Sequence, residues 1–265
     1  NSELSSSNME TIYNSGTPNN LDDLSTPPTA WWRMGDNGSW KSPQWLIPEN
    51  SNKDKISNYS FTFDGIDDYV DVFNSETVPT AFQSIGDNNS YSISGWIKTT
   101  AGASPSPGFW QSYLTIFELR TEYPVGTHIP FSLGVSLNKL TFGRTANYSS
   151  AFDFVSSNSA VNDGVWHHIG IVIVDDAYTF YLDGQPDGTG TFSASTGDCS
   201  VGTIASNMQI GIRARDGGQK DRNPFSGNIN NLALWNSELS SSNMETIYNS
   251  GTPTTLPVTP LAYWK

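Results

Sequence analysis

The sequence predicts an all-β protein that folds as a two-sheet jelly-roll sandwich. About ten short runs rich in β-forming residues alternate with turn residues, and no long segment has helical periodicity. Aromatic residues make up 12% of the chain and charged residues only 15%, which favours a packed core over disorder. Strands at this spacing are typical of a sandwich or jelly roll.

The strand assignments rest on local pattern and on turn residues. Residues 165–174 are almost continuously apolar, which predicts a central strand covered on both faces. Asp183-Gly184 predicts a hairpin, because glycine accepts the positive φ that such turns require. The predicted strands are 59–63, 69–73, 91–98, 114–119, 131–137, 139–142, 165–174, 178–182, 208–212 and 228–235.

The charge balance excludes several classes of partner. The chain has 13 Lys and Arg residues against 26 Asp and Glu residues, a net charge of −13. Such a surface repels nucleic acid and anionic membranes, and suits cations, neutral sugars or a salty exterior. No apolar run is long enough for membrane insertion. Cys199 is the only cysteine, so neither an internal disulfide nor a cysteine zinc cluster can form.

An internal repeat is the most informative feature. Residues 1–18 and 236–253 both read NSELSSSNMETIYNSGTP. A proline-containing linker follows each copy, and then comes AWWR at 30–33 or AYWK at 262–265. Repeats of this kind indicate tandem units that contact their neighbours.

Each copy of the repeat predicts a short helix with one apolar face. Ser7 with Glu10, and Ser242 with Glu245, match the capping-box pattern, and Gly16 predicts the end of the first helix. The apolar residues follow at helical spacing and are the predicted contacts between repeats: Met9, Ile12, Tyr13, Met244, Ile247 and Tyr248.

The repeat defines a domain organisation. Residues 1–16 are predicted to be the closing helix of a preceding repeat, and residues 17–28 a linker. Residues 29–252 are the sandwich and 253–261 a second linker. Residues 262–265 are the first strand of the next repeat.

Four motifs carry a family resemblance: FDGIDDYV at 63–70, SISGWIK at 92–98, DGVWHHI at 163–169 and FSGNINNLALWN at 225–236. In this order they resemble laminin-G-like domains of the concanavalin A-like lectin/glucanase superfamily. Together with WWRMGD at 31–36, they are similar to tandem-repeat extracellular proteins of bacteria and marine phages. The resemblance implies a concanavalin A-like jelly roll and an extracellular, cell-surface or virion location.

The resemblance also implies calcium as a cofactor. Relatives bind it between the opening loop, the FDG loop and an acid of the closing strand. The corresponding ligands are Asp36, Asp64, Asp67, Asp68 and Asn230. Asn230-Asn231 replaces the family's Asp-Glu, which removes a charge and lowers the expected affinity. Alternatively, these residues are ordinary turn formers.

Aromatic residues in Pro-, Ser- and Gly-rich stretches are candidate ligand-binding residues. They are Trp40, Trp45, Trp110 and Tyr113. They suit stacking on sugar rings or packing against the next repeat, and the sequence does not separate the two.

Catalysis is not expected. Retaining glycan hydrolysis needs two converging carboxylates, and the nearest candidates are Glu118 and Glu122. Tyr123-Pro124 predicts that Glu122 already lies in a loop. His167 and His168 are neighbours on a strand, so they point to opposite faces and cannot share a metal ion.

The functional expectation is a non-enzymatic extracellular structural or adhesive protein that forms a fibre or appendage through head-to-tail sandwich units. Its partners are neighbouring repeats or protomers. A carbohydrate-binding lectin-like module, with glycans as partners, is the first alternative, and a glycan hydrolase is the second.

Overall fold

The computed structural model describes residues 5–13, 21, 60–75, 78–85, 90–102, 113–123, 126–145, 152–192, 206–213, 223–251 and 256–265. The chain divides into two compact units, residues 1–56 and 57–265. In the first unit, the described part is helix α1 (Ser6–Tyr13) and Leu21.

The described part of the second unit has two antiparallel sheets and one α-helix, α2 (Ser241–Tyr248). The predicted two-sheet sandwich is therefore confirmed. Its strands are β1 (Phe61–Asp64), β2 (Val70–Ser75), β3 (Ser90–Lys98), β4 (Tyr113–Tyr123), β5 (Gly126–Ser136), β6 (Lys139–Thr145), β7 (Phe152–Ala160), β8 (Trp166–Val174), β9 (Ala177–Leu182), β10 (Gln185–Thr191), β11 (Ser206–Ile210), β12 (Ser226–Trp235) and β13 (Ala262–Trp264).

The two sheets have defined strand orders. Sheet A has the order β1-β12-β3-β8-β9-β10, with β13 also paired to β12, and sheet B has the order β2-β11-β4-β5-β6-β7. Every predicted strand overlaps an observed one, whereas β7 and β10 were not predicted. In β10, Pro186 and two glycines hide the strand pattern, which is tolerated because β10 lies at the edge of its sheet.

The core lies between the sheets and follows the two-residue strand period. In β8, Ile169, Ile171 and Ile173 face the core. The expectation that this strand is covered on both faces is confirmed, because the intervening residues His168, Gly170 and Val172 are also buried. The hairpin after β9 is also confirmed, since Asp183 and Gly184 both have positive φ.

Strand β12 is paired along both edges. One edge pairs with β3, and the other is shared by β1 at Ser226–Ile229 and β13 at Leu232–Leu234. Residues 262–264, predicted as the first strand of the next repeat, are thus a strand of this sandwich. Their pairing completes the edge of β12, and the ring of Trp264 packs edge-on against Phe117 in the core, with centroids 5.2 Å apart.

The start of helix α2 differs from the prediction. The capping box is formed by Ser240 and Asn243, not by Ser242 and Glu245. Ser240 Oγ accepts a hydrogen bond from the backbone N–H of Asn243 at 3.2 Å, and Asn243 Oδ1 accepts one from the backbone N–H of Ser240 at 3.1 Å. The shorter Asn side chain therefore takes the role assigned to Glu245. At the other end Asn249, with φ of 45°, is the left-handed C-cap.

Within the described part of the chain, neither helix has the length and apolar character needed to cross a membrane.

Candidate functional site

The outer face of sheet A carries helix α2, and we call this face the helix seat. Side chains of β8, β9 and β12 that point away from the main core form a second apolar cluster with the helix. Met244 and Ile247 of α2 are 0% and 4% exposed in this cluster. The residues that define the seat are Trp96, His168, Gly170, Val172, Tyr181, Gly184, Ala233 and Trp235.

Two glycines make the seat flat enough for close approach of the helix. A Cβ atom at Gly170 would lie 3.1 Å from both Sδ and Cε of Met244. A Cβ atom at Gly184 would lie 2.9 Å from Cβ of Tyr248. Larger residues at either position would therefore push the helix away from the sheet.

Aromatic and polar contacts fix the orientation of the helix. The ring of Tyr248 stacks on Trp96, with centroids 5.8 Å apart and planes 25° apart, and it also contacts His168. At the other end of the helix, the hydroxyls of Tyr181 and Ser241 are 2.8 Å apart. The helix is thus positioned along its length and about its axis.

The chain that follows the helix is bound to the same sheet. Trp235 Nε1 donates to the carbonyl of Val258 at 3.0 Å, and the backbone N–H of Leu261 donates to the carbonyl of Leu234 at 2.7 Å. The Tyr263 hydroxyl donates to Asn231 Oδ1 at 2.7 Å, and burial raises the pKa of Tyr263 to about 12. Residues 236–251 and 256–265 therefore cover the outer face and complete the edge of sheet A.

A buried histidine lies beneath the helix. His168 Nε2 is 2.7 Å from Ser94 Oγ, and burial lowers the pKa of His168 to about 3. Its neighbour His167 contacts different groups, since Nδ1 is 2.9 Å from Asp183 Oδ2. Asp183 also accepts a hydrogen bond from the backbone N–H of His168 at 2.9 Å. These contacts connect β8 to the β9 hairpin.

Helix α1 repeats the eight residues of α2 in a different environment. Met9 and Tyr13 are 53% and 68% exposed, and Ile12 is half-buried. Of the six predicted interface residues, the structure thus places Met244, Ile247 and Tyr248 in a packed contact. Met9, Ile12 and Tyr13 form the same apolar face on the first unit.

The FDG loop brings together three of the predicted calcium ligands. Asp64, Asp67 and Asp68 are exposed, and each can place a carboxylate oxygen within 4.8 Å of the others. Asp64 Oδ1 accepts the backbone N–H of Ile66 at 2.7 Å, and Asp68 Oδ2 accepts that of Asp64 at 3.0 Å. The remaining oxygens are chemically suited to calcium but fill only part of the six to eight positions it takes.

Asn230, a fourth predicted ligand, does not join this cluster. Asn230 is four residues beyond Ser226, the strand partner of Asp64. That spacing corresponds to about 13 Å along an extended strand, so Asn230 and Asp64 do not share an ion. Asp36 lies outside the described residues.

The predicted sugar-stacking aromatics are only partly described. Trp40, Trp45 and Trp110 lie outside the described residues. Tyr113 is predicted to lie in a loop. It is instead the first residue of β4 and is 1% exposed. Its ring lies over Gly134, where a Cβ atom would be 2.7 Å from Cζ, and its hydroxyl oxygen is 3.2 Å from Ser132 Oγ. Gly134 on β5 has no side chain and so leaves room for this ring, and that glycine is the sequence signal for the burial of Tyr113.

Glu118 is fully buried on the outer face of sheet B. Its Oε2 accepts from Ser132 Oγ at 2.6 Å, and its Oε1 is 3.9 Å from Arg213 Nε. Burial raises the pKa of Glu118 above its usual range, although Arg213 acts in the opposite direction. Glu122 lies in strand β4 rather than in the expected loop, and its side chain is outside the described residues.

The comparisons with known proteins agree with this architecture. The family model described as the concanavalin A-like lectin/glucanases superfamily, of the laminin G type, matches residues 64–244, more than half of the chain. The chain belongs to this superfamily. The laminin-G-like resemblance of the four motifs is therefore confirmed. No curated protein matches the chain.

Several solved structures are similar to this chain. The heptameric SAP-like pentraxin from Limulus polyphemus is 18% identical, with a TM-score of 0.50 over 77% of this chain and 90% of the pentraxin. Domains LG4-5 of the mouse laminin alpha1 chain are 13% identical, with a TM-score of 0.47 over 78% of this chain and 48% of the laminin fragment. The Ruminococcus gnavus IT-sialidase CBM40 bound to alpha2,3 sialyllactose is 13% identical, with a TM-score of 0.49 over 69% of this chain and all of that one.

The two helix copies provide a matched test of the seat in this concanavalin A-like sandwich. Met244→Ala should lower the free energy of unfolding by about 2–5 kcal/mol, because it leaves a cavity above Gly170. Met9→Ala, the same change in an exposed copy of the sequence, should change it by no more than about 0.5 kcal/mol. Urea denaturation followed by tryptophan fluorescence measures the free energy of unfolding of both variants. Equal losses for Met244→Ala and Met9→Ala would contradict the assignment of the seat.

His168 should make this sandwich sensitive to acid. Its folded-state pKa of about 3 lies below the ordinary value of 6.5, so the unfolded state binds the proton more readily. The contribution of neutral His168 to the free energy of unfolding is therefore fully present above pH 6.5. It falls by about 1 kcal/mol per pH unit as pH decreases toward 3. Urea denaturation at several pH values should show a weaker dependence for His168→Gln, and superimposable pH profiles would refute this role.

Proposed function

We propose that the chain is part of a non-enzymatic, extracellular, structural or adhesive protein in which tandem sandwiches join head to tail into a fibre or appendage. One observation carries the proposal. The sequence of the helix that occupies the seat occurs a second time, in helix α1 of the first unit, with Met9 and Tyr13 of its apolar face exposed.

The packing of α2 supports contact between units. Burying Met244 and Ile247 stabilises α2 on its seat through the hydrophobic effect. The same side chains on α1, Met9 and Ile12, would gain similarly by docking on an equivalent seat. Neighbouring sandwiches are therefore the proposed partners.

Surface charge and the Glu118 environment support the other parts of the proposal. A net charge of −13 opposes binding to nucleic acid and to anionic membranes, and suits an extracellular medium, as on a cell surface or virion. Glu118 is fully buried, with Ser132 hydrogen-bonded to one of its oxygens and Arg213 3.9 Å from the other, and this burial supports a structural rather than a catalytic carboxylate.

Carbohydrate binding is the second candidate function, and membership of the lectin/glucanase superfamily favours it. A glycan-array screen with and without calcium separates it from a purely structural role. Binding to a defined glycan would support a lectin-like module, whereas uniform absence of binding would leave the structural role as the better account.

We further propose that calcium binds weakly at Asp64, Asp67 and Asp68. Millimolar CaCl2 should raise the melting temperature of the wild-type protein more than the same concentration of MgCl2, because the larger ion tolerates an irregular, partly hydrated oxygen shell. Asp67→Asn should remove the difference. Differential scanning fluorimetry measures it, and equal shifts for wild type and variant would exclude this loop.

Electron microscopy of the native, full-length material tests the fibre itself. The expected result is a linear array of beads, each about 4–5 nm across, the size of a compact unit of some 200 residues. Separate globular particles without periodicity would contradict the proposal and favour the lectin-like module.

A further inference from the structure

We infer that helix α1 is a second ligand for the helix seat and that, where α2 is displaced, α1 occupies the seat of another copy of this chain. The inference rests on the proposed function and specifies the contact by which units are joined. It concerns described parts of the molecule: α1, α2 and the outer face of sheet A.

The seat recognises residues that both helices contain. Met244 packs on Gly170, Ile247 is buried in the cluster with Trp235, and Tyr248 stacks on Trp96 and lies over Gly184. At the matching positions α1 has Met9, Ile12 and Tyr13, and Ser6 corresponds to Ser241, which contacts Tyr181. Every side chain that the seat contacts on α2 is therefore present on α1.

The N-cap residue is shared as well. Ser240 caps α2, and Ser5 is placed in the same way on α1, where its Oγ accepts a hydrogen bond from the backbone N–H of Asn8 at 3.2 Å. Since α1 already has the conformation that α2 adopts on the seat, docking needs little further ordering of its backbone.

The seat of the same chain is already occupied. Only residues 236–240 separate β12 from α2, and so short a connection gives α2 a high effective concentration at its own seat. The described part of each chain thus has one seat and two helices that match it. The apolar face of α1, with Met9 and Tyr13 more than half exposed, is the surplus ligand, and a seat on a second copy is the complementary surface.

The decisive experiment vacates the seat in the full-length chain. Met244→Asp with Ile247→Asp places two charges where the seat is apolar, so α2 leaves it while α1 remains intact. Size-exclusion chromatography with light scattering should show wild type at the monomer mass of 29.0 kDa and the variant at two or more times that mass. An excess of a synthetic peptide with residues 1–16 should return the variant to the monomer, and a scrambled peptide should not.

The matched control repeats the change in the other helix. Adding Met9→Asp and Ile12→Asp to the seat-vacated variant should restore the monomer, because no fitting helix is left. Association that persists in this quadruple variant would show nonspecific contact and overturn the inference. A folded, monomeric seat-vacated variant would overturn it equally.

A measurement on the wild-type chain covers the case in which the aspartate variants do not fold. The chain is refolded from urea with an excess of fluorescent peptide containing residues 1–16. The peptide should co-elute with the protein at least several-fold more than the same peptide with Met9→Asp and Ile12→Asp. Equal retention of the two peptides would overturn the inference.

The outcomes also separate this inference from the proposed function. A periodic array in the electron microscope, combined with failure of the peptide and seat-vacating tests, would mean that units join through a different surface. Association through the seat without any array would leave the contact in place and contradict the fibre.

Discussion

The pairing of strand β12 on both edges is the constraint on which the rest of sheet A depends. Its Leu232 and Leu234 side chains enter the main core, while Ala233 and Trp235 enter the cluster beneath α2. Because β12 contributes to both apolar layers and to three strand ladders, a shift in its register would disturb the core and the helix seat together. The bulge between Asn230 and Ala233 separates the part that pairs with β1 from the part that pairs with β13.

Much of this arrangement follows from sequence pattern. The apolar run of β8 and the closing motif of β12 predict two interior strands of sheet A, because strands covered on both faces have no polar alternation. Edge strands gave a weaker signal: β10 contains proline and glycine and is held by its hairpin with β9. Tyr113 was misplaced for a related reason, since the space for its ring is made by Gly134 on another strand. Contacts of that kind depend on register, which local pattern does not encode.

The candidate site shows the same division between what sequence encodes and what the fold adds. Identical residues in α1 and α2 predicted identical helices, but sequence identity does not determine whether Met9 or Met244 is buried. That difference comes from Gly170, Gly184 and Trp96, which are far from α2 along the chain. Likewise, the family motifs predict Asn230 and Asp64 as ligands of one calcium ion, yet the pairing of β1 with β12 holds the two residues apart.

The shared edge of β12 has a mechanical consequence. Strand β13 ends at Trp264, opposite Leu232, and β1 begins at Phe61, opposite Ile229. The end of β13 and the start of β1 are therefore about 10 Å apart along one edge of β12, given the rise per residue of a strand. If the proposed array were pulled through these two strand ends, the short ladders at this edge would bear the load before the two-sheet core. A pulled array would thus be expected to lose β13 before any sandwich unfolds, which allows it to lengthen while its units stay folded.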